Sequence, residues 1–146
     1  MQTQAFVVTP TSYPRALNVL GEHVTVLASG EATKGYELFL QEGPQSSGPP
    51  PHSHPWDESF YVLRGEIEFG FEKESLVAGP GTLVHVPAGM THWFRFGKGG
   101  GQMFSTTARL GASRMFADID REMSSDRPDL EKLGGIVARH GVTVAV

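Results

Sequence analysis

The sequence predicts an all-β fold, a small barrel or sandwich that ends in a short helical appendage. Glycine and proline are frequent, at 18 and 10 of the 146 residues, which is typical of short strands joined by tight turns. Several segments alternate apolar and polar residues, the period of a half-buried strand. After Gly111 the apolar residues change to helical spacing, so the β pattern stops there.

The length and composition indicate one domain over residues 1–146, with a barrel core at about 15–110 and a helical tail at about 111–141. Hydrophobic residues make up 39% of the chain, which is enough for one core but not for two. The chain has no cysteine, so a disulfide framework, thiol catalysis and thiolate metal sites are excluded. Any metal must therefore be held by histidine and carboxylate side chains.

The charge and the hydropathy argue against two classes of partner. The net charge is −4 and only 12 residues are Lys or Arg, whereas a nucleic-acid partner needs a basic stripe. No window holds the roughly 18 apolar residues of a transmembrane helix. The first residues also lack a basic start followed by an apolar run. We therefore expect no nucleic-acid partner, no membrane partner and a cytoplasmic location.

The first half of the chain predicts three strands and one long loop. Residues 24–28 and 36–40 are rich in β-branched and large apolar side chains, which favour strands. Residues 43–51 contain many glycines and prolines, which cannot stay in a hydrogen-bonded ladder, so we expect a loop. Residues 58–63 form the next expected strand, and a turn follows at 64–65.

Strand alternation is clearest at residues 66–71, where Ile67, Phe69 and Phe71 share one face and glutamates share the other. This pattern predicts a strand with one buried face and one charged face in water. Three more strands are expected after it. They lie at residues 82–86, 91–96 and 103–108, with turns at 79–81 and 87–89.

Two helices are expected in the tail. Residues 112–123 place four apolar side chains at helical spacing: Met115, Phe116, Ile119 and Met123. Residues 124–141 predict a second helix, with Asp126 as a cap, Pro128 in the first turn and Gly141 as the stop. Its buried stripe is expected to consist of Leu130, Leu133 and Val137.

The stretch PHSHPWDESF, residues 51–60, combines metal-ligand side chains with the start of a strand. His52 and His54 are two residues apart and point the same way in an extended chain. The side chain of Glu58 points to the same side if the chain between them stays nearly extended. The three side chains are either part of a polar loop beside the sheet or most of a metal site.

His92 is the candidate for the missing ligand, because it shares the expected inward face of strand 91–96 with Phe94 and Phe96. A neighbouring strand in a barrel brings such a residue close to His52 and His54. Three imidazoles and one carboxylate suit Zn, Fe, Ni, Co or Mn. A metal-free pocket that binds another ligand is the alternative.

These residues resemble the two motifs of the cupin family. His52-x-His54-x3-Glu58-x6-Gly65 resembles the second half of the first motif. Gly81-x5-Pro87-x-Gly89-x2-His92 resembles most of the second motif. The position at which the first motif usually begins with glycine holds Ser46, and the usual asparagine of the second motif is replaced by Phe96. Neither departure removes a ligand, and Phe96 lowers the expectation of oxalate-type chemistry.

The resemblance implies a double-stranded β-helix, the cupin jelly-roll barrel, with one divalent transition metal (Fe, Ni, Mn, Co or Zn) per chain. It implies that the metal ligands are His52, His54, Glu58 and His92. The run HSHPWDESFYVLRGE looks most like single-domain bacterial cupins similar to quercetin dioxygenase. In such enzymes the glutamate ligand also takes the substrate's proton, so Glu58 is the expected catalytic base. Many barrels of this type pair, so we expect a homodimer.

Apolar side chains near the ligands are candidates for the wall of a substrate pocket. They are Trp56, Phe60, Phe69, Phe94, Phe96 and Met103. Barrel core is the stronger interpretation for most of them, because small barrels fill with side chains. Phe94 and Phe96 are the best candidates for the wall.

Several polar residues near these motifs have an ordinary structural alternative. Asp57 either orients a ligand histidine or belongs to a turn. His23 and His85 are expected at the surface of strands, and His140 near the end of the last helix. The glycine-rich segment 97–102 is either a lid or a surface hairpin.

Four functions compete at this stage. The first is a metal-dependent dioxygenase that acts on a small enolic or aromatic, flavonol-like compound. The second is a metal-dependent isomerase, lyase or decarboxylase that acts on a small hydroxy- or keto-acid. The third is a non-catalytic module that binds a small molecule. The fourth, a metal-free sugar-nucleotide epimerase, is disfavoured because the expected inward faces carry no cations for a diphosphate.

Overall fold

The structure is a computed structural model that describes residues 3–108, 111–123 and 129–145. Its strands are β1 Leu17–Val19, β2 Glu22–Ala28, β3 Glu37–Gly43, β4 His52–Ser53, β5 Glu58–Arg64, β6 Ile67–Phe71, β7 Glu74–Ala78, β8 Leu83–Val86, β9 His92–Phe96, β10 Gly101–Thr107 and β11 Thr143–Val144. Its helices are α1 Gly30–Thr33, α2 Ala112–Glu122 and α3 Leu130–Ala138. None of these three helices has the length and apolar character that a membrane crossing requires.

The strands form two antiparallel sheets. One has six strands in the order β1-β2-β3-β10-β5-β8, and the other has five in the order β11-β4-β9-β6-β7. Neighbours in both sheets are far apart in the chain, as in β3 beside β10 and β4 beside β9. This is a jelly roll, so the all-β expectation with a helical tail is confirmed.

Every strand expected from the sequence is present, with ends shifted by a few residues. Alternation also predicted the buried faces correctly, since Ile67 and Phe69 in β6 and Phe94 and Phe96 in β9 are buried. The missed elements are β1, β4, β7, β11 and α1. Four of them are only two to four residues long. In β7 the first four of the five residues are exposed, so no alternation of buried and exposed residues indicates a strand.

Two apolar cores occupy the space between the sheets and the helices. The first lies inside the sandwich and contains Phe60, Val62, Ile67, Phe69, Ala78, Val84, Val86, Phe94, Phe96 and Met103. The second lies between β1–β3 and the helices, and includes Val24, Phe39, Trp56, Met115, Ile119, Leu133 and Val137. The helical tail therefore forms part of the protein's interior and covers one end of the barrel.

The second helix differs in detail from the expectation. Its N-cap is Asp129, whose carboxylate accepts hydrogen bonds from the backbone of residues 131 and 132; Asp126 and Pro128 lie outside the described residues. Leu130 is 61% exposed and does not belong to the buried stripe. The buried residues are Leu133, Ile136 and Val137, so the expected positions of Leu133 and Val137 are confirmed. Leu130 is exposed because it is the first residue of the helix, which begins later than expected.

Candidate metal centre

The sheet topology brings together the chemistry-bearing side chains of distant segments. His52 in β4 is the register partner of His92 in β9. His54 directly follows β4, and its carbonyl accepts a hydrogen bond of 2.9 Å from the backbone N–H of Gly89. Glu58 is the first residue of β5, between Val86 of β8 and Thr107 of β10.

Three imidazoles converge at this end of the barrel. One ring nitrogen each from His52, His54 and His92 forms a group whose atoms all lie within 4.8 Å of one another. The ring centroids of His52 and His92 are 4.3 Å apart, and those of His54 and His92 are 4.9 Å apart. His52 is only partly buried and the other two are buried, so solvent reaches the cluster from the His52 side.

Backbone carbonyls fix the tautomer of each ring. The Nδ1–H groups of His52, His54 and His92 donate to the carbonyls of Pro50, Trp56 and Met90, each at 2.9 Å. A carbonyl only accepts, so each Nδ1 carries the hydrogen and each Nε2 of a neutral ring presents a lone pair. Such partners on the other ring nitrogen are typical of metal-ligating histidines.

Glu58 completes the polar cluster from the neighbouring strand. Its Oε1 atom lies 3.1 Å from Nε2 of His54 and 3.7 Å from Nε2 of His92. The carboxyl group is almost fully buried and does not belong to the group of three imidazole nitrogens within 4.8 Å of one another. A shift of this side chain is therefore needed if all four groups bind one ion.

Two members of the cluster, His52 and Glu58, are in the protonation state that a cation needs. Burial raises the pKa of Glu58, but interactions with the His54 and His92 rings outweigh it and bring the pKa to about 2. Burial and the charge of His92 lower the pKa of His52 to about 4. At neutral pH Glu58 is thus ionised and His52 is neutral, as metal ligands must be.

The residues present fit a divalent transition metal. The Nε2 atom of His92 is buried and has no hydrogen-bond partner in the described part of the chain, although such atoms normally find one. Nitrogen and carboxylate donors of this kind suit Zn, Fe, Ni, Co or Mn. The geometry therefore brings together the four residues that the resemblance assigned as ligands, and the identity of the metal stays open.

Trp56 and Asp57 have separate structural roles beside the cluster. The indole of Trp56 is buried and stacks on His54, with ring centroids 4.5 Å apart at 10°. Asp57 is exposed, and its carboxylate accepts a hydrogen bond of 2.8 Å from the backbone N–H of Ala88. Asp57 therefore stabilises the turn before β9. The histidine rings are oriented by backbone carbonyls and not by Asp57.

A cavity of about 70 Å³ lies beside the cluster. His52, His54, Glu58 and Glu22 line its polar end. The rest of its wall is mainly apolar and comes from both the barrel and the helices. The apolar side chains in it are Val19, Leu20, Trp56, Phe94, Ala112, Met115, Phe116, Ile119, Leu133, Val137, Val142 and Val144. The helical tail thus covers the cavity.

Two of the six expected wall residues, Trp56 and Phe94, line this cavity. Phe60, Phe69, Phe96 and Met103 belong instead to the core inside the sandwich. Phe96 does not line this cavity, because its ring lies beside Gly43 and Gly101 at the far end of β9. The turn at 97–100 lies at the same far end and connects β9 of the five-stranded sheet to β10 of the six-stranded sheet.

Sequence reasoning missed Glu22 and the helical part of the wall. Glu22 begins β2 and is 3% exposed. The alternation of Val24 and Val26, extended back by two residues, places Glu22 on the inward face and was the available signal. The helix residues shared a periodic apolar face, but no local pattern shows against which surface such a face packs.

The other histidines are away from the cluster. His23 and His85 are exposed, and Nδ1 of His85 lies 2.9 Å from the Ser59 hydroxyl. His140 follows α3, and its Nε2 lies 2.6 Å from a carboxylate oxygen of Asp118 in α2. It therefore ties the two helices together.

Comparison with known proteins supports the fold. Residues 39–102 match the family described as Cupin domain. The structure is similar to KdgF from Halomonas sp., at 16% identity and a TM-score of 0.66, covering 74% of this chain and 99% of that chain. An RmlC-like cupin from Shewanella frigidimarina gives 17% identity and a TM-score of 0.64, with 74% and 94% covered.

A third similar structure is the polyketide cyclase RemF from Streptomyces resistomycificus, at 22% identity and a TM-score of 0.62, with 72% of this chain and 79% of that chain covered. A search among curated proteins found no match. At these identities the structural likeness shows the fold, and one fold carries many activities.

Proposed function

We propose that the cupin domain of this chain holds one divalent transition metal and acts as an enzyme that deprotonates a small, mainly apolar, enolisable compound. One observation carries the proposal. Three imidazoles converge with the ionised carboxylate of Glu58, and His52, His54 and Glu58 line the polar end of a mainly apolar cavity. Convergent polar groups in such a cavity are the usual form of a small-molecule site.

Glu58 is the proton acceptor in this proposal. When bound, the metal supplies Lewis-acid polarisation of a substrate oxygen. The Glu58 carboxylate lines the same cavity and takes a proton from the adjacent carbon or hydroxyl group of the substrate. The O–H bond forms on Glu58 as the substrate bond breaks, and the electron pair stays on the substrate as an enolate.

The cavity limits the size of the substrate. Its volume of about 70 Å³ is small beside the roughly 300–1,000 Å³ of typical ligand pockets. A flavonol is larger than this cavity. The covered form therefore favours a compound of few heavy atoms.

The cavity also limits the charge of the substrate. No Lys or Arg is found among the described residues that line it. A free carboxylate of a hydroxy- or keto-acid would therefore have only the metal as a positive partner. A substrate with carbonyl or enol oxygens and an apolar body fits the wall better.

A dioxygenase is the second candidate, and the aromatic part of the wall favours it. Trp56, Phe94 and Phe116 line the cavity and suit an aromatic or conjugated enol. Both candidates begin with the same proton transfer to Glu58. They differ in whether dioxygen is consumed afterwards, so oxygen uptake separates them.

Proton exchange with a panel of small α-hydroxy ketones and β-diketones tests the proposal. The protein is loaded separately with Fe, Ni, Mn, Co and Zn, and loss of the substrate C–H signal in D2O is followed by NMR beside an oxygen electrode. We expect exchange that requires both metal and Glu58. Absence of exchange and of oxygen uptake for every compound, with metal bound, would refute the enzyme assignment.

A further inference from the structure

Glu22 is a buried carboxyl group for which the mechanism above has no use. It stands at the start of β2, directly after the tight turn that connects β1 to β2, in which Leu20 and Gly21 have positive φ. Its side chain is 3% exposed and lines the cavity beside Glu58. A carboxyl group in this position is costly unless it is paired or protonated.

A short chain of hydrogen bonds holds one oxygen of this carboxyl group. The Nε2 amide of Gln41 donates to Oε1 of Glu22 at 2.6 Å. The hydroxyl of Ser105 donates in turn to Oε1 of Gln41. Among the described residues no other hydrogen bond reaches the Glu22 carboxyl, so the hydrogen of the protonated acid belongs on Oε2.

The described side chains that line the cavity include no Lys or Arg that could pair with Glu22. His52 in β4, His54 directly after it and Glu58 in β5 line the polar end, and the lining from β3 contributes only the neutral Gln41. The parts of α2, α3 and β11 that line the cavity are apolar. An ionised Glu22 would share this cavity with the ionised Glu58 and have no Lys or Arg as a partner, which favours the acid form.

We propose that Glu22 is a carboxylic acid that donates a hydrogen bond to the substrate, so that the substrate carries two oxygen functions, one toward the metal ligands and one toward Glu22. This inference rests on the proposed function and narrows its substrate class. Such a donor stabilises negative charge as it develops on the second oxygen of an enolate. α-Hydroxy ketones and diketones have the required pair of oxygens.

The electrostatics agree with this role. Burial raises the pKa of Glu22 to about 8; the Gln41 hydrogen bond opposes the shift and the charge of Glu58 adds to it. At neutral pH the group is therefore mostly the neutral acid. A buried acid that stays protonated at pH 7 can donate where a carboxylate can only accept.

Infrared spectroscopy of the metal-free and Zn-loaded protein at pH 7 tests the protonation state. We expect a carbonyl band of a protonated carboxylic acid that is lost in Glu22→Gln. The exposed Glu42→Gln serves as the matched control, and its spectrum should keep the band. If the band is absent from the wild type, or present in Glu22→Gln, Glu22 is not the acid. This readout needs no turnover and stands apart from the proposed activity.

Binding of acetoin, a small α-hydroxy ketone, to the Zn-loaded protein tests the hydrogen bond. We expect Glu22→Leu to weaken binding about tenfold and Glu22→Gln to stay within about threefold, because an amide N–H also donates. Equal weakening by both variants, or no weakening by Glu22→Leu, would overturn the role. Zinc content and a cooperative melt, measured for both variants, establish that the site and the fold are intact.

Discussion

The Oε1 atom of Glu58 lies 3.1 Å from Nε2 of His54, although the Nδ1–H of that ring already donates to the carbonyl of Trp56. With a neutral ring, both facing atoms are hydrogen-bond acceptors. Two buried acceptors at this distance are compatible only if a proton or a cation lies between or beside them. The second ring, His92, repeats the arrangement at 3.7 Å. A metal ion bound by both groups would satisfy this arrangement, and a proton on Nε2 of His54 is the alternative.

Glu58→Gln should separate the role of this residue as a base from its role in binding metal. The amide can donate to the free Nε2 of His54, so we expect the metal-free variant to melt no lower than the wild type. We expect reduced metal binding but a much larger loss of proton exchange, about 100-fold or more. The control is Glu42→Gln on the outer sheet face, and unchanged exchange in Glu58→Gln would refute the base.

Glu37→Gln should weaken the attachment of α2 to the barrel. The buried Glu37 carboxylate accepts from the backbone N–H of Gly30, Gly111 and Ser113 at 2.9, 3.1 and 3.0 Å, and from the Ser113 hydroxyl. Since an amide supplies only one acceptor oxygen, we expect a loss of about 2 kcal/mol in the free energy of unfolding. Urea denaturation measures this loss, and Glu31→Gln at an exposed position should stay within about 0.5 kcal/mol.

The same residue predicts a dependence of stability on pH. Burial raises the pKa of Glu37, but the hydrogen bonds from Ser113, Gly30 and Gly111 outweigh it and leave the pKa below 4.5. Its stabilisation is therefore complete above pH 4.5 and is lost as the pH falls through the folded-state pKa. Denaturation of wild type and Glu37→Gln should converge in acid, and a constant difference from neutral to acid pH would contradict this.

Glu22→Gln should have the opposite dependence on pH. The folded-state pKa of about 8 lies above the unfolded value of 4.5, so the wild type loses stability as the pH rises between these values. The glutamine variant does not lose stability in this range. The difference in the free energy of unfolding between the variant and the wild type should therefore grow with pH by on the order of a few kcal/mol. Denaturation of the metal-free proteins at pH 5 and pH 8.5 measures the growth. An equal difference at both pH values would show that Glu22 is not a raised-pKa acid.

Ile119→Ala should enlarge the covered cavity. Ile119 in α2 is buried and lines the wall, so its truncation is expected to lower the free energy of unfolding by about 2–4 kcal/mol. Benzene, an apolar ligand, should then raise the melting temperature of the variant more than that of the wild type. Leu130→Ala, at an exposed position of α3, is the control. Equal benzene effects on both proteins would show that Ile119 does not bound the cavity.

The predictable part of this protein is the part encoded over short distances. The alternation of Ile67, Phe69 and Phe71 defined a strand, and the spacing of His52, His54 and Glu58 defined a set of donors on one side of the chain. The glycine that usually begins the first motif also has a structural basis. Ser46, at the usual glycine position, has a φ of 70°, a conformation that glycine adopts with less strain.

The unpredicted part depends on tertiary contacts. No local pattern shows that α2 and α3 cover the metal end of the barrel, because an apolar helix face does not specify its partner. The carbonyls of Pro50 and Met90 orient rings through the backbone, and backbone groups carry no signal in the sequence. The alternation of β2 places Glu22 on the inward face, but only the folded structure shows that it lines the same cavity as Glu58.

The most direct test is the metal content of the untagged protein, measured by inductively coupled plasma mass spectrometry. The variants are His52→Ala and His92→Ala, and the matched controls are His23→Ala and His85→Ala at exposed positions. We predict about one transition-metal ion per chain in the wild type and in both controls, and loss of the ion in both site variants with the fold retained. A wild type that is empty and cannot be loaded, or site variants that keep a full ion, would contradict the metal centre.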